Sequence, residues 1–182
     1  IAVQYRYGLI ASELLKGGNL DYLSLNSQSG LLRLDISTPV PTWATIFTSM
    51  FLHGGWMHFL GNMLYLWVFG DNMESRLGHF PYLFFYIITG VAAAASQLVV
   101  SPDSNIPLIG ASGAISGVLG AYLLTYPYHR ITTLVIFVFI SVIHIPAVYV
   151  LGFWFILQLL NGLGSIGPLG GLPSPGVAYM AH

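Results

Sequence analysis

The chain of 182 residues is 55% hydrophobic and 6% charged, with a formal net charge of −1 and a mean hydropathy of +0.77. Soluble domains carry about 25% charged residues, so there is too little polar surface here to cover a water-soluble globule, and the composition is that of an integral membrane protein. The near-neutral charge excludes a nucleic-acid partner, and the lack of cysteine excludes a disulfide framework and a thiolate metal site.

Residues 1 to about 50 hold Arg6, Glu13, Lys16, Asp21, Arg33 and Asp35. With 1–55 so mixed, this part reads as an ordered extramembrane or interfacial segment, with a short helix at 12–16. Its start has no basic region ahead of an apolar core, so it is not a signal peptide. With no initiator methionine and an abrupt end at His182, the sequence reads as an excerpt of a longer protein.

From residue 56 to 182 the pattern is that of a polytopic transmembrane core. Apolar runs occupy 56–69, 81–100, 112–126 and 147–160. A bilayer core of about 30 Å needs roughly 20 helical residues. The run 81–100 meets that length, while 56–69 and 112–126 fall short. A short helix stops within a membrane only where protein or a wet cavity receives its end, which puts His58 and Ser112 at such a cavity. The run 131–145 is β-branched, short and closed by Pro146; it is expected to be an interfacial or partly re-entrant segment. Residues 161–176 are rich in glycine and proline and read as a flexible loop, and "VAYMAH" reads as the start of a further helix. Arg76 in one loop and His129 with Arg130 in another place those loops on the cytoplasmic side, with the loop 101–111 outside.

Three groups of polar residues stand out in this apolar background. His58 and Asn62, in "HFLGN", are four apart and share a helix face. Both donate hydrogen bonds, and in lipid both are expected to face the bundle interior. They serve either as interhelical glue or as donors aimed at a developing oxyanion. His53, five residues before His58, lies on another face and reads as a loop residue with a supporting role. Ser112, in "GASGAISGVLGAY", opens its helix, where serine also serves as a cap. Gly110 and Gly113 beside it permit an unusual backbone path and close approach of another group. The helix start favours negative charge. Gly113 and Gly117 form a small-xxx-small pair, for which the helix carrying His182 is the expected partner. That pairing would bring a base to the serine, since histidine titrates in the range a serine nucleophile needs.

Taken together and in order, "FLHGGWMHFLGNMLYLWVFGDNMESRLG", "GASGAISGVLGAY" and "GVAYMAH" resemble the rhomboid family of intramembrane serine proteases. GxSG alone is a weak signal; preceded by HxxxN and followed by AH it is specific. The resemblance runs from about Phe51 to His182. It implies one all-α, rhomboid-like membrane helix bundle over 1–182, an incomplete six-helix core without the first helix and most of the last. It implies Ser112 as nucleophile and His182 as general base in a dyad without a carboxylate, with His58, Asn62 and the Ser112 N–H as oxyanion hole. Transmembrane protein substrates, a multi-pass location in the bacterial plasma membrane and the bilayer itself as surroundings follow from it, with no cofactor and no metal. Ser116 departs from the family, some members of which carry an aromatic there. A rhomboid-like protein that binds transmembrane clients without cutting them is the rival reading, against which the full set of catalytic residue types argues. A metalloenzyme using His53, His58 and His182 lacks any HExxH.

Overall fold

The computed structural model describes residues 2–18, 20–27, 30–136 and 140–166. It is mostly helical, as expected, with two small antiparallel hairpins in addition.

The N-terminal segment contains α1 (Ala2–Tyr7), α2 (Ala11–Lys16) and a hairpin of β1 (Tyr22–Ser27) with β2 (Gly30–Asp35), followed by the short α3 (Thr45–Thr48). Its own core includes Leu9, Ile10 and Ile36, each 2% exposed. Glu13 is buried with them, and its carboxylate is satisfied by the Leu20 N–H at 2.6 Å and the Thr38 hydroxyl at 3.3 Å. A buried acid needs such donors. The segment is tied to the loop before Ser112: Leu9 and Leu108 exchange both backbone hydrogen bonds, at 3.0 and 2.8 Å, and the Gly110 N–H donates to the Ser49 carbonyl at 2.9 Å.

The bundle begins at α4 (Trp56–Tyr65). Its apolar run ends at residue 69, but the helix does not: a π-helical turn, Leu66–Gly70, leads directly into α5 (Asp71–Leu77). The short helix expected over 56–69 is therefore the first part of a longer one. Phe69 in the π turn packs edge-on against Tyr122, ring centroids 5.1 Å apart. Next comes α6 (His79–Val100), 22 residues long and apolar enough to cross a membrane. At 1.5 Å per residue it is about 33 Å long. Only Tyr86, Gly90 and Ala94 are buried on it, one narrow stripe at a spacing of four, while Phe80, Leu83, Phe84 and Val99 are exposed. That is untenable in water and ordinary against acyl chains.

α7 (Ser112–Thr125) is the centre of the bundle. It is only about 21 Å long, and Ala114, Ile115, Val118, Leu119 and Tyr122 are all buried. It is apolar around most of its circumference because protein packs against it there. Thr89 of α6 donates to the Ala114 carbonyl at 3.2 Å, and Gly117 lies so close to Thr89 that a β-carbon there would overlap it. Gly117 thus packs on α6; the helix carrying His182, the expected partner of the small-residue pair, lies outside the described residues. Gly120, one turn on, faces open space among the described residues. Alanine is favoured over glycine in a helix by about 1 kcal/mol, so Gly120→Ala should be neutral or stabilising. Gly117→Ala should instead destabilise by about 1–3 kcal/mol through overpacking. Unfolding titrations of both variants in mixed micelles check the opposite signs.

The described residues of the run 131–145 form strands, not a helix. β3 (Arg130–Ile136) pairs with β4 (Ile140–Pro146), and β4 passes without a linker into α8 (Ala147–Ile166). α8 extends into the stretch expected to be a loop, through residue 166; residues 167–182, with the rest of that loop and His182, lie outside the described residues.

Candidate active site

The first turn of α7 begins at Ser112, with Ala111 in the capping position and Gly110 before it at φ +123°. Only glycine adopts that conformation without strain. Gly110 is also required sterically. A β-carbon built there would stand 2.9 Å from both Cε1 and Nε2 of His58 and 3.5 Å from Ser112 Oγ. The space a side chain would take at Gly110 is therefore bordered by two polar groups more than fifty residues apart in sequence.

His58 lies in the first turn of α4. Its Nδ1 accepts the Gly54 N–H at 3.2 Å. An imidazole nitrogen that accepts carries no proton, so the ring is neutral and its N–H is on Nε2, the nitrogen facing Gly110. Asn62, one turn deeper, is buried, and its amide nitrogen has no hydrogen-bond partner among the described residues. Leaving a buried donor unpaired costs about 1–3 kcal/mol, a cost that a ligand oxygen would remove.

His58, Asn62, Ser112, Gly110 and Gly113 line one cavity of about 290 Å³. Met57 and Tyr65 of α4 and Trp154 and Gln158 of α8 form another part of its wall. Ser116, one turn beyond Ser112, is buried and donates to the Ser112 carbonyl at 2.7 Å; it is held in the helix and does not line the cavity. His53 is in the loop ahead of α4. Its ring stands 5.3 Å from that of His58, nearly perpendicular, and packs edge-on against Phe59. Burial, reinforced by His58 nearby, pushes its pKa below the usual histidine range. His53 contacts His58 but does not line the cavity. The proposed base, His182, lies outside the described residues.

Sequence reasoning passed over Gln158, although an amide in the apolar run 147–160 is itself a signal of an inward-facing position. The Leu9–Leu108 bridge carries no such signal, because its partners are a hundred residues apart.

Taken as chemistry, the cavity unites a helix-initial hydroxyl, a ring N–H and a buried amide donor. A first helical turn adds N–H groups without intrahelical acceptors and the positive end of the helix dipole. Such an arrangement suits a negatively charged oxygen.

A family model of the rhomboid domain matches residues 41–182. The chain is similar to the rhomboid protease GluP of Bacillus subtilis, 33% identical over 134 residues, which is 70% of this chain and 24% of that protein. It is also similar to rhomboid-like protein 11, chloroplastic, of Arabidopsis thaliana, 33% identical over 48% of this chain and 31% of the relative. Rhomboid protein 1, mitochondrial, of Saccharomyces cerevisiae is 32% identical over 48% of this chain and 26% of its own length. No solved structure matches significantly. The chain spans about a quarter to a third of these relatives. On the family match over residues 41–182, borne by a helical bundle with lipid-suited faces, the chain belongs to the rhomboid family of integral membrane proteins.

Proposed function

We propose that this protein is an intramembrane serine endopeptidase that cleaves transmembrane segments of membrane proteins, with Ser112 as nucleophile and His182 as general base. The observation that carries this reading is the meeting of Ser112, the His58 Nε2–H and the Asn62 amide nitrogen, unpaired among the described residues, on one cavity at the start of a buried helix. The Ser112 hydroxyl attacks the scissile carbonyl as His182 takes its proton. His58, Asn62 and the Ser112 N–H stabilise the oxyanion of the tetrahedral intermediate. His182 then protonates the leaving amine, and water hydrolyses the acyl-enzyme. His53 supports the His58 ring, and Gly110 and Gly113 permit the close approach. Residues 1–182 act as one rhomboid-like domain. The match over 70% of the chain to a bacterial relative named a protease favours both the activity and a bacterial plasma membrane.

The test is cleavage in liposomes holding the purified natural protein and a transmembrane substrate. A product cut within or at the edge of the membrane segment supports the protease. Recovery of the segment bound but intact supports the client-binding alternative.

Access to the cavity should run between α4 and α8. A membrane helix has its backbone bonds satisfied internally, so a substrate has to enter sideways and unwind. Tyr65 and Trp154 face each other across this seam, ring centroids 6.3 Å apart. Bridging Tyr65→Cys and Trp154→Cys with a short bis-maleimide should slow cleavage of a transmembrane substrate at least about tenfold, an opening penalty near 1.4 kcal/mol. A bridged protein as fast as the unbridged double variant would place the gate elsewhere.

A further inference from the structure

The hairpin β3–β4 is not used by the chemistry above. From Ile131 to Ile145 its only ionisable residue is His144. The register pairs Thr132 with His144 and Leu134 with Val142 on one face. On that face Leu134 is 58% and Val142 60% exposed. The other face is half-buried at its base, where Ile131 packs on the bundle core. Polarity falls along the exposed face from Arg130 at the base through Thr132 and His144 to Leu134 and Val142.

We infer that this hairpin is a membrane-interface anchor, whose exposed face lies against the acyl chains of the same bilayer leaflet that receives the adjoining ends of α7 and α8. A two-stranded hairpin is at best marginal in water, and this one would expose apolar side chains there. It cannot sink into the hydrocarbon either, because both strands are edges whose outward N–H and C=O groups would go unpaired. The interface satisfies both demands: side chains on one face reach the acyl chains, while the strand edges meet water and headgroups. The hairpin also continues directly from the bundle, with the Ala147 N–H donating to the His129 carbonyl and the Val148 N–H to the Pro127 carbonyl, both at 2.8 Å. At about 3.4 Å per residue each strand is about 24 Å long. An interfacial layer is only about 5–8 Å deep, so the hairpin lies flat. Since β4 and α8 are one continuous element, this anchor fixes the foot of the helix that carries Trp154 and Gln158 to the cavity.

The inference rests on membrane residence alone, so it stands or falls separately from the proteolytic reading. The chain has no cysteine, which makes single-site spin labels clean. Leu134→Cys and Val142→Cys, with Asp103→Cys as a water-exposed reference, are labelled with a nitroxide in liposomes of phosphatidylcholine and phosphatidylglycerol. At 134 and 142, relaxation by oxygen should exceed relaxation by a neutral nickel complex, with the reverse at 103. Nickel-dominated relaxation at 134 and 142 would mean that the hairpin stands in water. Exclusion of both reagents would mean that protein covers it. Either result overturns the inference. The unsubstituted protein gives a second reading: a carbene-generating lipid should label peptides within 131–145, and failure to label them while α6 is labelled would contradict lipid contact.

Discussion

Ser112→Ala should reduce turnover of a transmembrane substrate by roughly 10⁴-fold or more, and His182→Ala should do the same. The larger expectation concerns the pair. A nucleophile without its base and a base without its nucleophile are equally idle, so the double variant should be no slower than either single one. Independent contributions would instead multiply. Binding should change little, because the cavity wall formed by Met57, Tyr65, Trp154 and Gln158 is untouched. Rates of the three variants measured in liposomes with one substrate check this, together with retention of an uncut substrate by Ser112→Ala. A His182→Ala protein that kept near-normal turnover would remove the dyad while leaving Ser112 in place.

The second large effect is expected at the oxyanion donors. Asn62→Ala and His58→Ala should each lower kcat by about 10²–10³-fold with KM nearly unchanged, since such a donor acts on charge that develops only in the transition state. The two variants should differ in stability. Asn62 leaves a buried amide nitrogen unpaired among the described residues, so its removal should be neutral or slightly stabilising. Interhelical glue would behave in the opposite way, losing stability and turnover together. His58→Ala also vacates the space beside Gly110 and removes the acceptor of the Gly54 N–H, so some stability should be lost with it. Paired unfolding and kinetic measurements separate these outcomes, and unchanged kcat in folded Asn62→Ala would exclude that residue from the hole.

Much of this site could be read from the sequence because its parts are local. The spacing of His58 and Asn62 is one helical turn, and the structure puts both on one cavity wall. A serine flanked by glycines at the head of an apolar run marked a buried helix start, and α7 begins at Ser112. The specific role of Gly110 was only half legible: its freedom of φ could be anticipated, but not that the His58 ring would occupy the place of a side chain. Where the reading failed, the deciding forces were non-local or the pattern was degenerate. In the hairpin of Arg130–Ile136 and Ile140–Pro146 apolar residues stand at both odd and even sequence positions, so the two-residue alternation that identifies a strand is largely absent. The continuation of α4 into Asp71–Leu77 was hidden because hydropathy ends at the membrane edge while backbone hydrogen bonding does not. That Gly117 would meet Thr89 of α6 was likewise not legible, because a small-residue face suits more than one neighbour.

The central claim is that Ser112 is an activated nucleophile. The most direct measurement is modification of the natural full-length protein, folded in liposomes, by a fluorophosphonate, with the modified residue located by peptide mass spectrometry. A serine made nucleophilic by a neighbouring base reacts, whereas an ordinary helix-capping serine does not. A single residue, Ser112, should be phosphonylated, with labelling lost in His182→Ala and protected by a bound transmembrane substrate. A folded protein that stays unlabelled at Ser112, or is labelled there equally well without His182, would contradict that claim.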